Sequence, residues 1–108
     1  MKLEWWRCKR ALKHWWQRRT RGWDDSDTWS LDFVIAKFAV PRLKRFRELN
    51  NGFPGGMTEG SWRSALDDMI YALEICADED RWYDKDNDWP RMERGLEAFG
   101  KHFRDLWW

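Results

Sequence analysis

Apolar residues recur every three or four positions through most of this chain, and no stretch alternates with the two-residue period of a half-buried strand. That spacing puts apolar side chains on one side of an α-helix. The pattern runs through four segments, 3–19, 27–50, 58–83 and 88–106. Helical faces can leave water only by packing against one another. The sequence therefore predicts an all-α fold.

The ends of these helices are marked by residues with known terminal roles. Gly22 is expected to end the first helix, Thr58 to cap the third, and Asp88 or Trp89 to cap the fourth. The second helix is apolar almost all round in its first half, which is typical of a central helix. Pro41 removes one backbone donor there, so we expect a kink or a short break. The prediction is a compact four-helix bundle with a Pro-kinked central helix.

Two glycines flank the apolar stripe of the fourth helix, at positions 95 and 100. Glycine inside a helix costs about 1 kcal/mol of helix propensity relative to alanine. The close approach of another helix would account for both residues. We therefore expect tight helix packing at Gly95 and at Gly100.

Length and composition indicate one ordinary domain, residues 1–108. Apolar residues make up 43% and charged residues 36%, which fits neither a disordered nor a membrane-embedded chain. No apolar run approaches the roughly 20 residues of a membrane span, and the start lacks a secretory signal pattern. We expect a cytoplasmic protein. Cys8 and Cys76 fall on predicted apolar faces, which favours two buried thiols, with a disulfide as the alternative.

Tryptophan is unusually frequent, with 11 residues in 108. Some are adjacent pairs, and others stand singly near predicted helix ends. Each buried tryptophan brings a large ring and one N–H that needs an acceptor. A small interior can hold only some of these rings. We therefore expect others to lie on the surface, where tryptophan is a favoured anchor for partners.

Charge is unevenly distributed, although the whole chain carries only +1. Residues 1–21 hold eight Lys or Arg against one Glu, a net +7, and residues 22–108 hold twelve against eighteen acids, a net −6. The basic Trp-rich N-terminal helix, residues 1–20, can dock on its own acidic body, pair with a neighbouring molecule or bind another anion. All three interpretations stay open at this stage.

The sequence offers no catalytic constellation. The turn 84–88 matches the first three ligand positions of a calcium-binding EF-hand loop, but Trp89 and Gly95 stand where glycine and a bidentate Glu are needed. A magnesium-dependent pyrophosphatase site needs several carboxylates on two facing helices, and helix two offers the acids of helix three only Asp32 and Glu48, about four turns apart. His14 and His102 are isolated from other zinc ligands. We predict no enzyme activity, no catalytic residue, no cofactor and no metal.

The segment from Arg21 to Asp32, which reads RGWDDSDTWSLD, resembles small proteins of tailed bacteriophages. The resemblance continues through the Gly-Phe-Pro loop at 52–54, Met57-Thr58 and Trp62, and ends in the Leu-Asp-Asp-Met-Ile run at 66–70. It covers roughly residues 21–74. That family is of unassigned function, so the resemblance implies a phage origin and an all-helical domain, but no reaction and no catalytic residues.

Two surfaces are predicted to contact a partner. On helix one, an aromatic ring points away from the apolar side and is surrounded by cations at helical spacing. On helix three, a second apolar strip lies opposite the main stripe. Either surface could instead be covered by the chain itself or by a second copy. The residues concerned are Trp6, Arg10, Lys13, Tyr71, Ile75 and Trp82.

The function that these features favour is protein–protein interaction by a non-enzymatic phage accessory protein. Its partner would be a host or phage protein, which it could inhibit or remodel, or a second copy of itself. One alternative is nucleic-acid binding by the basic N-terminal helix and the cluster Arg42, Lys44, Arg45 and Arg47, which otherwise forms a solvated face. Another is attachment of helix one to a membrane surface, which we consider the weaker option.

Overall fold

A computed structural model describes the backbone of residues 2–107 and the side chains of residues 7–107. Every regular element in these residues is a helix, and none is a strand, which confirms the all-α class. Two short 3-10 helices accompany five α-helices, at Asp25–Thr28 and Phe103–Asp105. The α-helices are α1 (Lys2–Arg21), α2 (Leu31–Leu49), α3 (Glu59–Cys76), α4 (Glu79–Trp82) and α5 (Trp89–Lys101).

The fifth helix arises because the third predicted helix ends early. It was expected to reach Tyr83, but α3 stops at Cys76. Asp78 then adopts an extended conformation, and its carboxylate accepts hydrogen bonds from the backbone N–H groups of Asp80 and Arg81. This is the role of an N-cap residue, so a new short helix begins there. The described chain thus has one α-helix more than the pattern predicts.

The chain divides into two compact units, Met1–Leu31 and Asp32–Trp108. The first unit contains α1 and the 3-10 turn that follows it. Gly22 ends α1 with a φ of +83°, a conformation that glycine adopts without strain. Its N–H donates to the carbonyl oxygen of Arg18 at 2.9 Å, as expected at a helix terminus. Gly22 therefore has the helix-ending role that the sequence predicts.

The second unit is built around α3, which buries residues on several of its faces. Its main core cluster contains Trp62, Leu66, Met69, Ile70 and Leu73 of α3 together with Ala36 and Leu43 of α2. The prediction that the second helix is central was wrong. Its long apolar stretch does not all face inward, since Leu31, Ile35 and Phe38 are exposed. The helix with two buried faces is α3.

Pro41 lies inside α2 without ending it. The helix is continuous from Leu31 to Leu49, so the predicted break does not occur. A kink at this position stays a prediction.

Two residues at helix N-termini behave as expected. Thr58 forms a reciprocal capping box with Ser61, and the carboxylate of Asp88 accepts a hydrogen bond from the backbone N–H of Arg91. The predicted capping roles of Thr58 and Asp88 are therefore confirmed.

The two glycines of α5 differ in their surroundings. A Cβ placed on Gly95 would lie 2.0 Å from the carbonyl oxygen of Asp68 and 2.7 Å from the Cβ of Ala72, both in α3. Close packing of two helices thus explains Gly95, as predicted. A Cβ on Gly100 would meet nothing within 4 Å. For Gly100 the prediction was wrong, because that side of α5 faces solvent.

Both cysteines are free thiols. Cys76 is half-buried beside the main core cluster, and burial, followed by the negative charge of Asp32, raises the pKa of its thiol. Cys8 is exposed, which corrects the expectation that it would be buried. The reason is that the apolar side of α1 remains open to solvent.

Candidate interaction surfaces

The acidic turn, residues 24–27, pairs with the basic end of α1 inside the first unit. Asp25 is the most heavily engaged residue: its carboxylate lies 3.5 Å from Lys13 Nζ and 2.8 Å from an Arg21 guanidinium nitrogen. It also accepts a 2.9 Å hydrogen bond from the Gln17 amide. The buried carboxylate of Asp24 binds Arg18. Part of the basic charge of the N-terminal helix is therefore neutralised by the segment that directly follows it.

Neighbouring side chains lower the pKa values of the two carboxyl groups Asp24 and Asp25 in this turn. The Ser26 hydroxyl, followed by Arg18, lowers the pKa of Asp24 to about 2 against the opposing effect of burial. The Gln17 amide, followed by Arg21 and Lys13, lowers the pKa of Asp25 to about 2. Both side chains are consequently charged throughout the physiological range, and the turn is a fixed anion for α1.

A surface that we call the α1 face consists of Leu12, Trp15 and Trp16. Their side chains are 65%, 58% and 62% exposed, and the two indole centroids are 6.3 Å apart. These three residues share the apolar side that periodicity predicts for this helix, and the structure leaves that side exposed. Arg19 follows Trp15 by four residues and Trp16 by three, so a cation belongs to the same side of the helix. The α1 face is therefore an apolar, aromatic surface bordered by positive charge.

The other residues predicted on helix one are less available than expected. The side chain of Trp6 lies outside the described residues. Arg10 stacks over the ring of Trp29, with its guanidinium carbon 5.7 Å from the ring centroid, and Lys13 is paired with Asp25. Both cations thus make contacts within the first unit. Arg10 and Lys13 remain exposed, and the large apolar side chains of α1 are exposed as well.

The strip predicted on helix three is covered at Ile75. Ile75 is fully buried in a second cluster with Ala72 and Met92, so it is not available to a partner. The covering element is α5, and the periodicity does not show that α5 packs on this side of α3. This corrects the assignment of Ile75 as a contact residue.

Tyr71 and Trp82 keep partial exposure but have intramolecular partners. The Tyr71 hydroxyl accepts a 2.7 Å hydrogen bond from the backbone N–H of Asp88, and its ring lies beneath Arg91 at 4.4 Å. Trp82 is 45% exposed and packs edge-to-face against Trp89, with centroids 5.1 Å apart. Tyr71 thus helps to position the start of α5, and Trp82 remains the exposed member of the predicted strip.

An exposed apolar strip on α2 was not anticipated. Leu31, Ile35 and Phe38 follow one another at helical spacing, and each is exposed. The Arg42 guanidinium stacks on the Phe38 ring at 3.7 Å and donates to the Phe38 carbonyl oxygen. Sequence reasoning missed this strip because an almost continuously apolar helix was interpreted as fully buried.

The basic cluster that follows Pro41 is largely paired with acids. Lys44 Nζ lies 3.1 Å from Glu74, Arg45 lies 2.7 Å from Glu48, and Arg47 Nε lies 2.6 Å from Asp67. Two of these pairs join α2 to α3. Because these cations are paired with acids of the chain, the cluster fits a solvated, ion-paired face better than a phosphate-binding surface.

A cavity that we call the aromatic groove lies in the second unit and has a volume of about 350 Å³. Trp62 is almost completely buried at its base and donates from Nε1 to the Asn50 amide oxygen at 3.1 Å. The His102 ring meets Trp62 edge-on at 5.4 Å, and its Nδ1 lies 3.2 Å from the Asp105 carboxylate. The lining residues are Leu49, Asn50, Asn51, Gly52, Phe53, Pro54, Trp62, Asp105 and Trp107.

The carboxylates considered for metal binding have other partners. On α3, Asp67, Asp68 and Glu74 pair with arginines 47, 91 and 81, respectively. Among the residues that the structure describes, no three His, Cys, Asp or Glu side chains come together as a metal ion would need.

Within residues 2–107, no helix has the length and apolarity required to cross a bilayer.

Most of the described tryptophan side chains lie on the surface of the protein. Of the eight tryptophans whose side chains are described, Trp62 is buried, and the other seven are exposed: Trp15, Trp16, Trp23, Trp29, Trp82, Trp89 and Trp107. The expectation that several rings lie on the surface therefore agrees with the structure.

No protein-family model, curated protein or solved structure matches the chain.

Proposed function

We propose that this chain is a small, non-enzymatic phage accessory protein that acts by binding another protein through the α1 face. The observation that carries the proposal is the exposure of Leu12, Trp15 and Trp16 on one side of a single helix. Contiguous apolar surface rimmed by polar residues is typical of protein contact sites. The partner would be a host or phage protein, or a second copy of the chain.

The composition of the α1 face suits a protein partner. Tryptophan and arginine are the residue types that contribute most to binding energy at interfaces. An indole has few rotatable bonds, so immobilising it against a partner costs little conformational entropy for the area that it covers. Trp15 and Trp16 offer two such rings next to each other, with Arg19 beside them. Truncating one anchor of this kind costs about 2 kcal/mol or more of binding energy.

A lysate pull-down with matched variants tests the proposal. The bait is the full chain, and the variants are Trp15→Ala with Trp16→Ala on α1, and Tyr83→Ala as a control. Tyr83 is also an exposed aromatic residue but lies outside α1. We expect the double variant to lose partner capture and the control to retain it, with unchanged circular dichroism in both. Equal capture by both variants would contradict the assignment of the α1 face.

The same exposed face supports a second candidate function, attachment to a membrane surface. A basic helix with tryptophan and leucine on one side can lie in the headgroup region of an anionic bilayer. Flotation with anionic liposomes, using the chain with and without residues 1–20, separates the two functions. Nucleic-acid binding has less support, because Lys13, Arg18 and Arg21 are paired with the acidic turn. Binding that weakens steeply with salt would favour it.

Three finer expectations belong to this proposal. The first is a phage origin, which rests on the resemblance of residues 21–74. The second is action in the host-cell cytoplasm. The third is a compact four-helix bundle with a Pro-kinked helix. A solution mass measured together with the pull-down would show whether self-association supplies the covering surface.

A further inference from the structure

The walls of the aromatic groove are suited to a cation. Phe53 and Trp107 are both exposed, and Trp62 closes the base. The faces of aromatic rings carry negative electrostatic potential, so they attract a positive group placed above them. Trp107 is 74% exposed, which leaves its ring surface accessible to a ligand.

Charge within the groove has a single sign. Among the described residues that line the groove, Asp105 is the only acid, and there is no lysine, arginine or histidine. The Oδ2 atom of Asp105 lies 3.2 Å from His102 Nδ1, and its Oδ1 atom makes no hydrogen bond to another described residue. The Asn50 amide oxygen accepts one hydrogen bond from Trp62 and has capacity for a second. The groove therefore offers hydrogen-bond acceptors with free capacity, which suits a ligand that donates hydrogen bonds.

Two arginines of a neighbouring pocket have acidic partners of their own and do not pair with Asp105. Arg47 and Arg63 line a small neighbouring pocket that shares Trp62 and Asn50 with the groove. Arg47 is paired with Asp67 at 2.6 Å, and Arg63 with Glu59 at 3.5 Å. The Oδ2 atom of Asp105 contacts the His102 ring, and its Oδ1 atom is left to accept a hydrogen bond from an incoming group.

We propose that the aromatic groove binds the guanidinium group of an arginine side chain presented by a partner protein. A guanidinium is planar, stacks on ring faces and offers several N–H donors, which a carboxylate and an amide oxygen can accept together. Ring stacking of this kind already occurs in the chain, where Arg21 lies 3.7 Å above Trp23. The proposal rests on the proposed function only for the protein origin of the arginine.

The chemistry can be tested with small probes on the full chain. Ethylguanidinium and ethylurea have nearly the same shape, but only the first is charged. We expect ethylguanidinium to shift the NMR signals of the Trp62 and Trp107 indole N–H groups saturably at about millimolar concentrations, and ethylurea to bind about tenfold more weakly. Blocked tripeptides, one with a central arginine and one with citrulline, should rank in the same order.

Asp105→Asn is the decisive variant, because asparagine can still accept from His102 but carries no charge. We expect it to weaken ethylguanidinium binding about tenfold, while Asp86→Asn, at a carboxylate outside the lining, has no effect. Phe53→Leu should also weaken binding, which gives a second variant that leaves the Asp105–His102 contact intact. Equal binding of the two probes, or unchanged ethylguanidinium binding by Asp105→Asn, would overturn the proposal. Because the α1 face is not involved, its pull-down result stands or falls separately.

Discussion

Replacing Gly95 by alanine should push α3 and α5 apart. The added Cβ would lie 2.0 Å from the Asp68 carbonyl oxygen, which belongs to the helix backbone and has no side-chain freedom to move away. Overpacking of this kind costs about 1–3 kcal/mol, and contact with backbone places Gly95→Ala at the upper end. Alanine recovers about 1 kcal/mol of helix propensity. We expect a net loss of about 2 kcal/mol in the free energy of unfolding.

Gly100→Ala is the matched control in the same helix. An added Cβ meets nothing within 4 Å, so only the gain in propensity remains, and we expect about 0.5 kcal/mol of stabilisation. Urea unfolding followed by tryptophan fluorescence compares the two midpoints, provided that the slopes agree. A Gly95→Ala variant as stable as Gly100→Ala would refute the close packing of α3 against α5.

Three further changes test other contacts. Thr58→Ala removes the cap of α3 and should lower the free energy of unfolding by about 1 kcal/mol, measured by urea denaturation. Tyr71→Phe removes the hydroxyl that accepts from the Asp88 N–H and should cost about 1 kcal/mol in the same assay. The pKa of Asp24, lowered from 3.8 to about 2, means that its stabilising effect is present above about pH 4 and is lost as pH falls through 2. A ¹³C titration that placed this carboxyl near 3.8 would contradict the turn geometry.

Features fixed by neighbouring residues could be predicted from the sequence. The terminal roles of Gly22, Thr58 and Asp88 depend on backbone groups only a few residues away, and all three agree with the structure. The early end of α3 depends on equally local chemistry at Asp78, but the continuing apolar pattern obscured it. Capping residues are therefore a stronger guide to helix ends here than periodicity is.

Features that depend on tertiary packing could not be predicted. Periodicity shows which side of a helix is apolar, but it does not show which other helix covers that side. Gly95 and Gly100 look alike in the sequence, and only the position of α3 distinguishes them. Ile75 was assigned to an open strip for the same reason. The aromatic groove was missed because residues 49–54, Trp62 and the segment 105–107 meet only in the fold.

The exposed rings differ in how much of their surface is already occupied, and this difference separates structural from binding roles. Trp23 carries the guanidinium of Arg21 on its face, and Trp82 packs against Trp89. These contacts use ring surface that a partner would otherwise cover. Trp15 and Trp16 of the α1 face and Trp107 of the aromatic groove are 58%, 62% and 74% exposed, respectively. The α1 face and the aromatic groove share no residue, so Trp107→Leu should leave capture through the α1 face unchanged while it weakens ethylguanidinium binding.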